Sequence, residues 1–450
     1  MKAYSILSMF SSSSSRQFFS GTGAAFLIII AGKGVSYLLQ LVFARVLGVD
    51  GYGVYIYVVT VISILSIFST MGFDSVPLKY LAMYRLRQEW SLFSGILRRS
   101  LQIPLSLSVC TAVAVIIAAS SIDQISGNRA LYSTLIAGTA ALPLFTLLKV
   151  LQSVFRSQKQ IISALLPNEI AVPFFLLAGV GGFSLMGFQP DSLDVITYHA
   201  IVIGCVLAVF SFVCCRRLSL LPVLSSTPRY KTGEWTRTAA SLLLISGMHI
   251  VLSQTDIMLL GVFKGTTDAG IYAIASKIAI LVTFGLQIGN QIIAPMISEF
   301  YHDGDKARLQ EVVSLGSMIS TIFAVIIVLI ILFFARPLLH LFGPEFTGGR
   351  LSLYILAGGQ MANALVGPVG LIMTMTKHHR EASFIISVSA LVNIVLNLIL
   401  IPRFGMTGAA VATTMTMLSW NIAFWLYIRK NLGINTIMTT AFMRRGRNRS

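Results

Sequence analysis

Long apolar runs recur along this chain, separated by short polar turns. Twelve can be read, at about 22–47, 53–74, 101–121, 130–154, 161–184, 196–216, 237–262, 270–297, 313–335, 349–374, 381–402 and 406–428. A bilayer core of about 30 Å is crossed by about 20 apolar helical residues. The pattern therefore predicts an all-α integral membrane protein with about 12 transmembrane helices. The first two runs meet at Asp50-Gly51-Tyr52-Gly53 and form a helical hairpin. Residues 54–71 carry no charge, and 32–48 carry only Lys33 and Arg45.

Much of that hairpin returns near residue 261, where Met258-Leu259-Leu260-Gly261 leads through Lys264 and Asp268 to Gly270-Ile271-Tyr272. Gly72, Pro77 and Tyr84 are echoed by Gly289, Pro295 and Tyr301, and the turn Arg156–Lys159 by Lys377–Arg380. Such self-similarity marks an internal repeat. An even number of helices per half brings both halves in from the same side, as in repeats related by an axis along the membrane normal. The expected organisation is a cytoplasmic arm at 1–21, a six-helix bundle at 22–216 and a cytoplasmic linker at 217–236. A second six-helix bundle follows at 237–430, and a basic tail at 431–450. Between the second and third runs, 78–97 is basic and amphipathic, and reads as a helix on the cytoplasmic surface among anionic headgroups.

Composition agrees with a membrane protein. The chain is 56% hydrophobic and 11% charged, with a mean hydropathy of +0.83; soluble chains carry about 25% charged residues. The net charge of +17 would suggest nucleic acid in a soluble chain, but here its distribution matters more. Of the 33 Lys and Arg, Arg45, Arg129, Lys264, Arg336, Arg350 and Arg403 lie near the loops of one side, and Lys33, Lys149 and Lys277 within helices. The other 24 fall in the arm, the loops of the opposite side and the tail. Positive residues stay cytoplasmic, which predicts both termini cytoplasmic in a multi-pass protein of the cytoplasmic (inner) membrane. Nucleic acid is not an expected partner.

No enzyme motif is present: there is no Walker loop and no HExxH, so neither catalytic residues, cofactor nor metal is expected. Cys110, Cys205, Cys214 and Cys215 lack zinc or redox spacing and read as small core residues. His378-His379 lies in a basic turn, and His249 reads as a hydrogen-bonded core histidine. Pro143, Pro167, Pro173, Pro295 and Pro368 read either as ordinary kinks or as hinges.

The informative residues are charges at depth, each costly in hydrocarbon unless it meets water or a partner. Lys33 lies near the middle of helix one, and Arg45 near its outer end, where it either lines the path or anchors at the interface. Lys277 and Asp256 lie at comparable depth in helices eight and seven and could form a structural ion pair. Lys149 lies close enough to the inner surface to snorkel. Glu169 in helix five is the candidate for ion or proton coupling, and Asp74 at the inner end of helix two completes the set. Gln40, Gln254, Gln287, Asn290 and Gln291 add polarity to helices one, seven and eight, and Asn363 to helix ten. Lys33, Arg45, Lys277 and Lys149 are the candidate substrate-binding residues. A cavity biased toward positive charge suits an anionic cargo such as a phosphate-bearing headgroup.

Arg45-Val46-Leu47-Gly48 with Gly51–Tyr55, Asp256–Gly261 with Gly270–Tyr272, and Asn397–Pro402 with Gly405-Met406-Thr407-Gly408 together resemble the polysaccharide transporters. These are the Wzx-type lipid-linked oligosaccharide flippases of the multidrug/oligosaccharidyl-lipid/polysaccharide exporter superfamily. The resemblance runs from about 20 to 430. It implies two six-helix bundles forming a V around a central cavity. It further implies alternating-access movement of an undecaprenyl-pyrophosphate-linked oligosaccharide to the outer leaflet, for O-antigen, capsule or exopolysaccharide synthesis. Lys33 would correspond to a basic residue receiving the headgroup, Na⁺ or H⁺ could be exchanged, and a polysaccharide polymerase and glycosyltransferases would be partners beside the membrane lipids. Drug-efflux relatives carry a coupling carboxylate in helix one, where this chain has none. The alternatives are an ion-coupled drug or cation antiporter of the same fold, a peptidoglycan-precursor flippase, and a non-transporting scaffold of a glycan assembly complex.

Overall fold

In the computed structural model the backbone is described for residues 13–126, 128–217 and 226–437, with side chains described outside 13–26, 120–126, 217, 244–246 and 249. Most of the arm, linker residues 218–225, the tail beyond 437 and the side chain of His249 lie outside the described residues. Every described element is helical. Among the described residues seven helices are long and apolar enough to cross a membrane, or nine if each of two bent pairs is one span.

The chain divides into two compact units, 1–246 and 247–450. Unit one begins with α1 (Ser13–Thr70), which is broken at Gly48, where φ is +67°. Only glycine takes that conformation without strain. The chain doubles back there, so that the Tyr52 hydroxyl donates to Gln40 Oε1 at 2.7 Å. Next comes α2 (Val76–Leu86), started by Pro77 and burying Val76, Tyr80, Leu81 and Tyr84 on one face. Lys79, Arg85 and Leu86 remain exposed on the other. Then follow α3 (Trp90–Ser126), α4 (Arg129–Ala140) and α5 (Leu142–Ser157), the last two bent by 42° where Pro143 opens α5. After α6 (Ile161–Leu166) a π-turn, Pro167–Ala171, precedes α7 (Val172–Leu185), and α8 (Ser192–Arg217) closes the set. Pro167 has no amide to give the regular ladder, which accounts for the wider turn.

The division between units falls inside a helix, α9 (Thr232–Lys264), between 246 and 247. The physical reason is the packing of its first turns on unit one. Trp235 is fully buried and donates from Nε1 to the Tyr84 hydroxyl at 3.1 Å. Gly72 meets the Ala239 backbone so closely that a Cβ there would stand 2.1 Å from the carbonyl oxygen. The preceding residues are stitched down as well, with the Arg229 amide donating to the Ser91 carbonyl at 2.9 Å.

Unit two continues from α9 into α10 (Thr266–Ile280), a 3₁₀ turn, α11 (Phe284–His302) and α12 (Lys306–His340). A second 3₁₀ turn, Pro344–Gly349, leads to α13 (Arg350–Val366) and α14 (Val369–Met375), bent by 46° at Gly367-Pro368. Finally α15 (His379–Asn431) is broken at Gly405 with φ +55°. Gly408 then packs on the Leu400 carbonyl, where a Cβ would stand at 2.3 Å. One core of this unit gathers Ile297, Val313, Ile372, Met373 and Ile428 from α11, α12, α14 and α15.

Candidate functional site

In unit one, the π-turn carries Glu169 toward α1, and Gly32 lets it come close. A Cβ on Gly32 would stand 2.4 Å from the Glu169 carbonyl oxygen. The next residue, Lys33, reaches Glu169 Oε2 at 3.8 Å, with the lysine side chain 50% exposed and the glutamate 27%. The pair is long and open, worth about 0–1 kcal/mol to the fold as exposed pairs go. Glu169, expected as a coupling group, is thus first of all the counter-ion of Lys33.

Nearer the other end of the unit, Lys149 on α5 donates to Ser66 Oγ at 2.6 Å. Asp74, in the turn between α1 and α2, senses the same lysine. Burial pushes its carboxyl above the ordinary range, while Lys149, its own backbone amide and Arg156 pull it back. Arg45 is exposed near the Gly48 break. Tyr55, just beyond that break, lies 3.0 Å from His199 Nδ1 on α8, and both residues are buried.

In unit two the centre is Asp256 on α9, 5% exposed. Its Oδ2 accepts from the Tyr272 hydroxyl at 2.7 Å and from the Thr413 hydroxyl, and its Oδ1 from Asn397 Nδ2 at 2.7 Å. Asn397 also donates to Asn393 Oδ1 at 3.1 Å. Three neutral donors therefore hold this carboxylate. The physical reason is that α15 brings Asn397 and Thr413 to it from both sides of the Gly405 break. Asn397 Oδ1 is buried without a hydrogen-bond partner among the described residues, and so is Asn290 Oδ1. Lys277 and Gln254 are half-buried on α10 and α9. Gln287 and Gln291 are exposed on α11, and Asn363 is half-buried on α13. None of these last three bonds to Asp256.

The expected residues therefore fall into separate clusters: Lys33 with Glu169, Lys149 with Ser66 and Asp74, and Asp256 with partners not foreseen. Tyr272 and Asn397 stood inside the quoted motifs without being assigned a role. Asn393 and Asn397, one turn apart in an apolar helix, were a readable signal, since polar amides in a spanning segment need partners. Ser66, Thr413 and His199 carried no comparable signal.

A family described as polysaccharide biosynthesis protein matches residues 18–301, and the MatE family matches 238–399. A probable low-salt glycan biosynthesis flippase of Haloferax volcanii is 27% identical over 165 residues, covering 36% of this chain and 35% of the relative. An uncharacterized membrane protein of Methanocaldococcus jannaschii is 25% identical over 191 residues, covering 40% and 38%. The chain thus matches only a little over a third of the length of these curated relatives. Among solved structures, an inward-facing multidrug resistance MATE family transporter of the MOP superfamily superposes with a TM-score of 0.74 at 12% identity, covering 89% of this chain and 94% of that one. The lipid II flippase MurJ gives 0.66 at 12% identity, covering 90% and 87%. A MOP superfamily transporter from Pyrococcus furiosus gives 0.61 at 13% identity, covering 92% and 95%. With the family match spanning well over half of the chain, this multi-span membrane protein belongs to the polysaccharide biosynthesis protein family.

Proposed function

We propose that the protein is a flippase of glycan biosynthesis. It carries a polyprenyl-pyrophosphate-linked oligosaccharide from the cytoplasmic to the outer leaflet by alternating access. The observation that carries this reading is Lys33: an ammonium group in a spanning helix, half open, held at 3.8 Å from a carboxylate rather than locked against it. A charged side chain in mid-helix costs about 2.5–3.5 kcal/mol on insertion scales, and a loose, open pair recovers little of that. A phosphate exchanged for Glu169 gives the lysine a stronger partner. The kinship with glycan biosynthesis proteins supports the cargo class; the sugar and the pathway stay open.

The proposed topology has twelve spans and cytoplasmic termini in the cytoplasmic membrane. The breaks at Gly48 and Gly405 each separate two spans, each bent pair is one, and Thr232–Lys264 adds another. Coupling is assigned to Asp256, where Na⁺ or H⁺ would meet the carboxylate and the unpartnered Asn397 Oδ1.

The test is surface glycan in cells whose own flippase is replaced by this chain. Lys33→Ala should abolish glycan display while the protein accumulates in the membrane at its normal level, and Lys33→Arg should keep part of it. Normal display by Lys33→Ala would leave the scaffold reading. The MatE match over 238–399 favours a second reading, an ion-coupled drug or cation antiporter. That reading requires changed resistance to cationic dyes with surface glycan intact.

A further inference from the structure

Where α12 gives way to α13, Arg336, Thr347, Gly348, Arg350 and Leu351 line a cavity of about 360 Å³. The helix before it is broken at Phe334 (φ −117°, ψ 16°) and carries Pro337 in its last turns. Proline withholds an amide from the ladder, so the segment bearing Arg336 leaves the course of the long helix. The 3₁₀ turn Pro344–Gly349 then brings Arg350 alongside as the first residue of α13. Gly348 has open space where a Cβ would stand, which leaves its backbone accessible. The Thr347 hydroxyl is already committed to the Pro344 carbonyl at 2.7 Å.

Neither guanidinium has a carboxylate within 4.0 Å among the described residues. Glu345, the acid nearest in sequence, sits against Gly343 and does not line the cavity. Two guanidinium groups facing one space repel each other, and an anion between them removes that repulsion. Their planar forks match phosphate oxygens in pairs. On the proposed orientation this end lies on the outer side, where basic residues are scarce. Beside the cavity Leu332, Phe333, Phe334 and Leu351 are all exposed, Phe333 by 77%, which is the surface a hydrocarbon chain would lie along.

We infer that this cavity binds a phosphate-bearing lipid headgroup at the outer membrane surface. Arg336 and Arg350 take the phosphate oxygens, and the exposed apolar face takes the start of the chain. The word "outer" rests on the proposed orientation; the binding does not.

The experiment uses the full chain purified in detergent, with farnesyl pyrophosphate as the probe and inorganic pyrophosphate and phosphatidylglycerol as competitors. Arg336→Gln and Arg350→Gln should each weaken farnesyl pyrophosphate binding about tenfold, the usual loss for one charged hydrogen-bonding partner. Arg336→Lys, which keeps the charge without the fork, should fall between. Competition by phosphatidylglycerol as strong as that of unlabelled probe assigns the occupant to bulk lipid, and weaker competition assigns it to a pyrophosphate lipid; either upholds the headgroup site. Unchanged binding in both glutamine variants with normal melting profiles overturns the site. Equal affinity for inorganic pyrophosphate overturns its lipid character. Arg403→Gln, exposed on the same side but outside the cavity, should bind the probe normally; a matching loss there would make the binding a general charge effect and overturn the inference.

Discussion

The Tyr272 hydroxyl donates to Asp256 Oδ2 at 2.7 Å, across the turn at Gly265 and 16 residues back along the chain. Tyr55 occupies the equivalent place after the Gly48 break and meets His199 instead. In each unit the tyrosine of the Gly-Val-Tyr or Gly-Ile-Tyr sequence ties a hairpin into its own helices, but the partner chemistry differs. Unit two uses a carboxylate, unit one an imidazole.

This arrangement predicts how Asp256 responds to substitution. Tyr272→Phe leaves Oδ2 with Thr413 alone and should cost about 1–3 kcal/mol, read as a lower melting temperature in detergent. Asp256→Asn should melt close to the wild-type temperature. The new amide oxygen accepts from Tyr272 and Thr413, and its nitrogen faces Asn397, whose buried and unpartnered Oδ1 can turn to accept. The same variant should lose any Na⁺ or proton dependence of transport. A marked drop in melting temperature for Asp256→Asn would show that the negative charge itself holds α9 to α15.

Close backbone approach gives a second prediction. Gly32 and Gly72 stand where a Cβ would meet the Glu169 and Ala239 carbonyl oxygens at 2.4 and 2.1 Å. Neither neighbour is the far end of a flexible side chain, so the helices themselves must part. Gly72 also holds φ at +82°, which adds about 1 kcal/mol for any other residue. Gly72→Ala should lower the melting temperature more than Gly32→Ala, while Gly32→Ala should lower transport more than its stability loss explains. Comparing melting curves with glycan display at matched protein levels checks both.

Much of this was written in the hydrophobic pattern, and the reason is physical. Helices in lipid must satisfy their own backbone, so apolar length and glycine position reveal the hairpins at Gly48 and Gly405 without knowledge of packing. Depth along a helix likewise marked Lys33, Lys149 and Asp256 as residues requiring partners. Which partner each would take was not readable, because it depends on how helices far apart in sequence rotate against one another. Asn397 and Thr413 lie 141 and 157 residues away from Asp256 and still bond to it. Next to the polar linker, likewise, Trp235 and Arg229 are fixed to α2 and α3 by contacts no local pattern encodes.

Asp74 gives the pH prediction. Burial raises its pKa above the ordinary value despite Lys149 and Arg156, so the folded state binds the proton more tightly than the unfolded chain does. Its contribution to stability is therefore fully present below the unfolded pKa of about 4 and is lost as pH rises through the raised folded value. Asp74→Asn should accordingly melt higher than wild type at neutral pH, and the two curves should converge under acid conditions. Melting temperature against pH for both proteins is the measurement. A variant less stable at pH 7 would mean that attraction to Lys149 outweighs burial.

Lys33 and Glu169 are not interchangeable within their pair. Were the pair merely structural, exchanging the residues by Lys33→Glu with Glu169→Lys would restore everything that either single change removes. The two positions are not equivalent, since the lysine is 50% exposed and the glutamate 27%. The exchange carries the positive charge from the open helix face to the π-turn behind it. Membrane abundance and melting temperature should recover to near wild-type values in the double variant, because the ion pair is remade. Glycan display should stay at least about tenfold down, the cost of one lost charged contact to cargo. Full recovery of display would assign Lys33 a structural role and move the search for the phosphate-binding group to Lys149 and Arg45.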